Sequence, residues 1–341
     1  MRIAGVTVRA GSIRRAFLET DGYADGVGVR MPIVIAAGGR RGKTLVVVAG
    51  QHGRELNGPA AIHRFISDLR PAQMQGNIVF LPVVNPLSMR QHQQDFPHEM
   101  GRYLRSQPPN ERFNLNRAWP GDRKGMLHQR LAAAAWSVIR KADAVIDLHG
   151  WSDQHIGLAW CRPRDRALMR ALGFPWSQVM PKPASTGMLE VACNDSKIPC
   201  VTCELTPQDT VFGPSVRYGI QGITNVARHM GILSGDPEYP WARYELRSGG
   251  GQALVAEAPG LVVTTHEIGQ IVEPGEIVVE LVDLQTFKRV QRGGPTRRTV
   301  IRRICGEFGT GWVGYHIVEK GQTMAVFSEI DREWPAELKA T

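Results

Sequence analysis

Four short apolar runs, rich in β-branched residues, recur through the first two thirds of the chain. They cover residues 45–49, 78–84, 144–148 and 198–203. Because they do not alternate with polar residues, each predicts a strand that is buried on both faces. Apolar residues within 62–69 follow at i, i+3, i+4 and i+7, which predicts an amphipathic helix with Asn57 as its cap and Pro59 in its first turn.

Two more helices are predicted over 127–138 and 215–231. Strands that alternate with helices indicate an α/β fold with a mixed, mostly parallel sheet flanked by helices. From about Glu245 the helical patterns stop, and glycine-punctuated β patterns follow in two similar stretches, which suggest a small barrel of two related halves. We therefore predict a larger α/β domain over 1–244 and a smaller all-β, barrel-like domain over 245–341.

The composition suits a cytoplasmic protein with a small anionic substrate. The chain of 341 residues is 43% hydrophobic, but it has neither a leader-like apolar segment nor an apolar run of membrane-spanning length. Its five cysteines are scattered, unlike those of a secreted disulfide scaffold. The net charge of +9 favours an anionic partner, but the basic residues lack the interleaved aromatics of a nucleic-acid surface. We expect no membrane and no nucleic-acid partner, and the sequence leaves open whether the chain forms a homo-oligomer.

Polar side chains follow each predicted strand at the point where the strand ends. His52 and Glu55 come after the first strand, Asn85 after the second, His149 after the third and Glu204 after the fourth. In an open α/β sheet, ligands gather outside the carboxyl ends of the strands. Two histidines and two glutamates are therefore predicted at one rim of the sheet.

His52, Glu55 and His149 form a candidate zinc site within this rim. Two imidazoles and one carboxylate, with a position left open for water, are a standard ligand set of catalytic zinc. We expect Gly53 to permit the sharp turn that lets His52 and Glu55 face one point. Asp147 lies two residues before His149, so it would face the same side and orient that imidazole.

These residues stand within longer motifs that resemble the succinylglutamate desuccinylase/aspartoacylase family, relatives of the zinc carboxypeptidases. The motifs are His52-Gly53-Arg54-Glu55, Asn114-Leu115-Asn116-Arg117-Ala118-Trp119-Pro120-Gly121, Asp147-Leu148-His149 and Glu204. The second motif is the most telling, with Trp119 where phenylalanine is usual. The resemblance covers most of the chain, because family members also tend to carry a C-terminal β domain.

The resemblance implies a metal site and a general base. His52, Glu55 and His149 would bind one zinc ion per chain, and Glu204 would act as general base on the water that the metal holds. The chemistry is sensible, because zinc lowers the pKa of its water and a glutamate can pass the proton to the leaving amine.

The resemblance also implies substrate contacts. Asn116 and Arg117 would bind a carboxylate of the substrate. Arg102 is our choice for the arginine that stabilises the oxyanion, and Arg105 and Arg112 compete for that role. They compete because the segment from Asn85 to Asn116, which contains all three arginines, is longer than is usual in the family. We expect this segment to form a loop over the site.

Together these features predict a zinc-dependent amide hydrolase, a deacylase that cleaves a small N-acyl amino acid or a related carboxylate-bearing compound. A zinc carboxypeptidase-type peptidase is the alternative, because the same chemistry serves peptide cleavage. A nucleotide-binding protein is a more distant one, since 37–44 satisfies a relaxed P-loop pattern. A P-loop needs a helix next, whereas here the first apolar run follows, which favours a glycine-rich turn between strands.

Overall fold

The computed structural model describes residues 2–3, 5–20, 27–95, 114–305 and 316–337. Its α-helices are α1 (Asn57–Asp68), α2 (Pro86–Gln91), α3 (Leu127–Ile139), α4 (Arg166–Leu172), α5 (Leu189–Asp195) and α6 (Gly213–His229). Within these ranges, no helix has the length and apolar character needed to cross a membrane. Its strands are β1 (Arg2–Ile3), β2 (Val6–Thr7), β3 (Ser12–Thr20), β4 (Val29–Ala37), β5 (Arg40–Ala49), β6 (Gln75–Leu81), β7 (Ala144–His149), β8 (Leu158–Cys161), β9 (Trp176–Val179), β10 (Cys200–Glu204), β11 (Arg243–Val255), β12 (Gly260–Val263), β13 (Ile271–Val272), β14 (Val279–Val282), β15 (Arg289–Gly293), β16 (Thr299–Ile304), β17 (Ile317–Val318) and β18 (Thr323–Trp334).

One large mixed sheet of twelve strands organises the molecule, in the order β13-β16-β18-β11-β9-β8-β10-β7-β5-β6-β4-β3. Four central neighbours, β6, β5, β7 and β10, run parallel to one another. Each contains all or most of one apolar run of the sequence, and the run residues within the strands are buried. Antiparallel pairs extend the sheet on both sides. The predicted α/β fold with a mixed sheet flanked by helices is confirmed.

Helices cover both faces of the parallel strands. Alternate residues of a strand point to opposite faces, so β5 contributes Val47 to one apolar core and Val46 to the other. Helices α1, α4 and α6 pack into the first core, for example through Phe65 and Val226. Helices α3 and α5 pack into the second, for example through Leu131. This layering leaves the carboxyl ends of the strands open, where loop residues can meet.

The start of α1 differs from the prediction. The helix begins at Asn57 itself, and Leu56 occupies the cap position without a side-chain hydrogen bond. The Asn57 amide instead donates to the carbonyl oxygens of Leu205 at 2.8 Å and Pro207 at 2.7 Å, while its oxygen accepts from the Phe212 N–H. The prediction of Asn57 as a helix cap is therefore wrong, because its polar groups tie α1 to the loop after β10.

The glycine-rich segment 37–44 turns between two strands, as expected. β4 ends at Ala37 and β5 begins at Arg40. A Cβ atom on Gly38 would lie 2.2 Å from the Gly76 carbonyl oxygen, so the close approach of the neighbouring chain requires glycine there. A strand follows the turn where a phosphate-binding loop needs a helix, which removes the basis of the nucleotide-binding alternative.

The C-terminal strands extend the large sheet and add a second one. β11 begins just before the domain boundary predicted at 244/245, and it pairs with β9 on one side and β18 on the other. β15, β14, β12 and β17 form a separate antiparallel sheet, which shares an apolar core with β16 and β18. The two similar stretches contribute strands to both sheets, but their corresponding strands do not match: β13 of the first stretch pairs with β16 in the large sheet, whereas β17 of the second pairs with β12 in the small one. The division into two domains stays a prediction.

A buried carboxylate fastens β11 to the helical layer. Glu245 is 2% exposed and lies 2.9 Å from Arg166 and 3.4 Å from Arg170, both on α4. Buried carboxylates of this kind need such partners, because an unpaired charge would be costly to bury. The pair of arginines therefore anchors the strand that leads into the C-terminal region.

The buried residue His155, which pairs with Arg303 of β16, is expected to make the free energy of unfolding depend on pH. His155 is 7% exposed, and burial lowers its pKa to about 3 from the ordinary 6.5. The unfolded state therefore binds more protons than the folded state between these two values. We expect the free energy of unfolding to fall as the pH drops through this window, with a limiting slope of about 1.4 kcal/mol per pH unit for this group.

Urea titrations at a series of pH values measure this slope. The variant His155→Gln cannot titrate, so its free energy of unfolding should depend less steeply on pH below 6.5. An equal slope in the two proteins would show that the proton is taken up elsewhere.

Candidate metal centre

The loop between β5 and α1 carries two of the predicted ligands. It leaves β5 through Gly50, whose φ of +64° lies in the left-handed region that favours glycine. Gly53, by contrast, is not among the glycines with positive φ. A Cβ atom there would lie 2.0 Å from the Ser88 carbonyl oxygen, so the loop needs Gly53 for space against α2 and not for an unusual φ.

The three predicted ligands meet in one buried cluster at the rim of the sheet. His52, Glu55 and His149 are 6%, 3% and 3% exposed. Nδ1 of His52 lies 2.7 Å from Glu55 Oε1, and Nδ1 of His149 lies 3.1 Å from Glu55 Oε2. Ligand atoms from the three residues all lie within 4.8 Å of one another. The structure therefore brings together a set of donors that could hold a metal ion.

Oxygen acceptors hold the far side of both imidazoles. Nε2 of His149 lies 3.0 Å from Asp147 Oδ2, and Nε2 of His52 lies 3.0 Å from Asn114 Oδ1. When each Nε2–H donates to its oxygen, the unprotonated Nδ1 of each ring points into the cluster. Metal-binding histidines are commonly oriented in this way. Asp147 thus lies where the sequence predicted it.

Gln51, which the sequence patterns did not single out, links this support to the Asn-Leu-Asn-Arg motif. Trp119 Nε1 donates to Gln51 Oε1 at 2.8 Å, and Gln51 Nε2 donates to Asp147 Oδ1 at 2.8 Å. Gln51 is fully buried, so its amide must find partners inside the protein. The indole N–H explains the departure from the family pattern at Trp119, since a phenylalanine would have no donor for Gln51. The sequence feature that could have indicated this role is the position of Gln51, a polar residue just after the buried strand β5.

The cluster holds charges of both signs away from water. Burial alone would raise the pKa of Glu55, but His52 and His149 lower it to about 2. Burial alone would lower the pKa of both histidines; Glu55 raises that of His52, and Asp147 together with Glu55 raises that of His149 well above its usual range. The two carboxylates therefore favour positive charge at this point. A divalent cation can supply that charge in place of the imidazole protons, since metal binding releases them.

Glu204 lies beside the cluster at the end of β10. It is in register with His149 on the neighbouring parallel strand, so the two side chains share one face of the sheet. Glu204 is 3% exposed, and its Oε2 has no hydrogen-bond partner within the described part of the chain. Burial raises its pKa well above the usual range, and the charges of Glu55 and Asp147 act in the same direction. A buried carboxylate with an open oxygen is suited to exchange a proton with a bound molecule.

The residues predicted to bind a substrate carboxylate lie next to the cluster. Asn116 Nδ2 is 3.4 Å from His149 Nε2, and Asn116 Oδ1 accepts from the Leu189 N–H at 2.9 Å. Arg117 is half-buried and donates from Nη1 to the Asn116 carbonyl oxygen at 2.8 Å. The Asn116 amide thus lies next to the cluster and Arg117 folds back on the Asn116 backbone, and the binding role of both residues stays a prediction.

The arginine predicted to stabilise the oxyanion lies outside the described residues. Arg102 and its two competitors, Arg105 and Arg112, all fall between positions 96 and 113. The same holds for most of the loop expected over the site. The oxyanion assignment therefore stays a prediction.

The fold and the buried cluster fit a known family of α/β catalytic domains, as comparison with known proteins shows. The model of the succinylglutamate desuccinylase/aspartoacylase catalytic domain matches residues 41–230, more than half of the chain. The protein belongs to the succinylglutamate desuccinylase/aspartoacylase family. The family predicted from the motifs is thus confirmed.

Similar proteins match most of the chain. The N-alpha-acetyl-L-2,4-diaminobutyric acid deacetylase of Halomonas elongata is 25% identical over 300 residues, which are 82% of this chain and 83% of that protein. The succinylglutamate desuccinylase/aspartoacylase structure from Rhodobacter sphaeroides is 25% identical with a TM-score of 0.72, covering 94% of this chain and 97% of the other. The product-bound ectoine utilization protein EutE from Ruegeria pomeroyi is 21% identical, with a TM-score of 0.74 and coverage of 94% and 96%. The shared fold therefore includes the C-terminal β region.

Proposed function

We propose that the protein is a zinc-dependent deacylase that hydrolyses the amide bond of a small N-acyl amino acid. The observation that carries this proposal is the convergence of His52 Nδ1, His149 Nδ1 and the Glu55 carboxylate in one buried cluster. The relative from Halomonas elongata, named as the deacetylase of an N-acetylated amino acid, supports this class of substrate.

The donor set fits one zinc ion per chain. Imidazole nitrogen and carboxylate oxygen match the borderline softness of zinc, and three protein ligands leave a position for water. Asp147 and Asn114 keep Nδ1 of each ring directed inward. Zinc, when bound here, would polarise the scissile carbonyl and lower the pKa of water.

The chain's own side chains provide the other parts of the reaction. Glu204 takes a proton from the attacking water and returns it to the leaving amine, a role supported by its open oxygen and its raised pKa. Asn116 and Arg117 hold the substrate carboxylate, because an amide and a guanidinium fork offer several N–H donors to its two oxygens. Holding the substrate at this end would set its amide bond near the cluster.

A panel of N-acetyl and N-succinyl amino acids, assayed for release of free amine by the zinc-containing protein, tests this function. We expect kcat/KM to be about 10- to 100-fold higher for a substrate with a free carboxylate than for its carboxamide, because the guanidinium bond is charge-assisted. In Arg117→Ala this preference should shrink toward unity. Arg117→Lys, which keeps the charge but loses the fork, should fall between the two.

Two outcomes would count against the proposal. Cleavage of peptides without cleavage of N-acyl amino acids would instead establish a carboxypeptidase-type peptidase. Hydrolysis of neither class by protein with a full complement of zinc would refute an N-acyl amino acid deacylase.

A further inference from the structure

A second buried glutamate, Glu190, lies on α5, the helix that packs against β10. Glu190 is 4% exposed, and its Oε2 has no hydrogen-bond partner among the residues that the structure describes. The nearest cation is Arg162, whose Nε lies 3.9 Å from that oxygen, too far for a hydrogen bond. Arg162 directs Nη1 to the Met180 carbonyl oxygen at 3.1 Å instead. Glu190 is thus a buried carboxylate that has one cationic neighbour and one oxygen free to accept a hydrogen bond.

This carboxylate faces the side of the sheet that carries the site. Cys200, Thr202 and Glu204 alternate along β10, so all three point to one face. Leu189 of α5 packs in the same apolar core as Cys200, which puts α5 on that face. Thr202 Oγ1 is buried and, like Glu204 Oε2, has no partner in the described chain. Three unpartnered oxygens therefore mark this face, two from β10 and one from α5.

The first turn of α5 is also joined to the predicted carboxylate-binding residues. The Leu189 N–H donates to Asn116 Oδ1 at 2.9 Å, and Glu190 is the next residue along the helix. An N-acyl amino acid has three arms at its α-carbon: the carboxylate, the acylated nitrogen and the side chain. Asn116 and Arg117 would hold the first, and the metal cluster with Glu204 would hold the second. The side chain is the arm that remains, and Glu190 is the charged group next to the N–H that Asn116 binds.

The chemistry of this face selects among side chains. Apart from Glu204 Oε2 at the amide bond, its open atoms are Glu190 Oε2 and Thr202 Oγ1, and a carboxylate oxygen needs an N–H or O–H donor. Arg162 Nε stays 3.9 Å from Oε2, beyond hydrogen-bond distance, so the charge of this carboxylate is only partly compensated. An acidic side chain would be repelled here, and an aliphatic one would leave the oxygens unsatisfied. A primary ammonium supplies three donors and a positive charge.

An aromatic side chain next to Thr202 suits the methylene groups of such a side chain. Trp160 on β8 is the register partner of Thr202, so its indole lies on the same face. It is half-buried and stacks on Trp151, with ring centroids 5.5 Å apart. Aromatic rings of this kind pack well against the apolar stem of an amine-bearing side chain.

We propose that Glu190 is a specificity-determining residue that binds the ammonium group at the end of the side chain of an N-acyl diamino acid. The proposal rests on the function proposed above and narrows its substrate class. Glu190 acts on substrate choice, while Glu204 and the metal cluster act on the amide bond.

Matched pairs of substrates test this assignment. The Nα-acetyl derivatives of 2,4-diaminobutyrate, ornithine and lysine are compared with those of 2-aminobutyrate, norvaline and norleucine, which lack only the terminal amine. We expect at least one diamino acid to exceed its partner in kcat/KM by about 10- to 100-fold, because a site that offers a charged acceptor discriminates against a ligand without the donor. Glu190→Gln should reduce that ratio about tenfold or more.

Asp195→Asn is the matched control, since it removes an exposed carboxylate from the same helix and should keep the wild-type ratio. Calorimetric binding of the free diamino acid products gives a second measurement that does not require turnover, and Glu190→Gln should weaken it. Equal kcat/KM within every pair, or an equal loss for both members of a pair in Glu190→Gln, would overturn the role of Glu190 and leave the deacylase function standing. Hydrolysis of none of the six compounds, together with none of the N-succinyl amino acids of the earlier panel, would tell against the deacylase function itself.

Discussion

Replacing His149 by alanine is expected to abolish stoichiometric zinc binding and to lower kcat/KM by roughly a thousandfold or more. The variant leaves only His52 and Glu55 in the cluster, and it also leaves the buried Asp147 carboxylate without its imidazole partner. Two ligands cannot fix a catalytic zinc that normally takes three from the protein. Metal analysis of the purified chain and amine-release assays measure the two effects.

His63→Ala is the matched control for this variant. His63 is exposed on α1, the helix that follows the loop carrying His52 and Glu55. Its replacement should therefore leave both zinc content and activity at the wild-type level. Zinc at one ion per chain in His149→Ala would show that the metal binds elsewhere. Far-ultraviolet circular dichroism shows whether the variant is folded. If it is not, His52→Ala removes a different candidate ligand and repeats the zinc and activity measurements.

The sequence predicted the central part of the fold because one physical pattern dominates there. The apolar runs of β5, β6, β7 and β10 are buried on both faces, and no other element type accounts for such short, β-branched runs between amphipathic helices. The same reasoning predicted which residues meet at the rim, because residues that directly follow parallel strands lie at the same edge of the sheet. His52, Glu55, His149 and Glu204 are found together for that reason.

Other features depend on partners that are distant in sequence, and local patterns do not show them. Gln51 and Asp147 are 96 positions apart, so nothing near Gln51 indicates its hydrogen bond. Asn57 has the residue type of a helix cap, but the loop after β10 offers its amide better partners. Glu190 follows an ordinary helical pattern, and only the packing of α5 over β10 shows that its carboxylate is buried, with an oxygen that accepts no hydrogen bond from the described residues.

Replacing Glu204 by glutamine is expected to lower kcat by about 10²- to 10⁴-fold, the usual contribution of general acid–base catalysis. The amide has nearly the same shape as the carboxylate but cannot accept the proton of the attacking water. Because Glu204 is outside the His–Glu–His cluster, the zinc content should stay at one ion per chain. Saturation kinetics and metal analysis on the same preparation separate this effect from loss of the metal.

Glu245→Gln tests whether the loss is specific to the site, because Glu245 is an equally buried carboxylate at a distance from the rim. It anchors β11 to two arginines of α4, so its replacement should lower the thermal unfolding midpoint and leave kcat unchanged. Glu204→Gln should show the opposite pattern: Glu204 Oε2 accepts no hydrogen bond from the described residues, so its replacement should cost little stability, while the proton transfer is lost. A kcat in Glu204→Gln within about twofold of wild type would mean that another group moves the proton, since the general-base role requires a far larger loss.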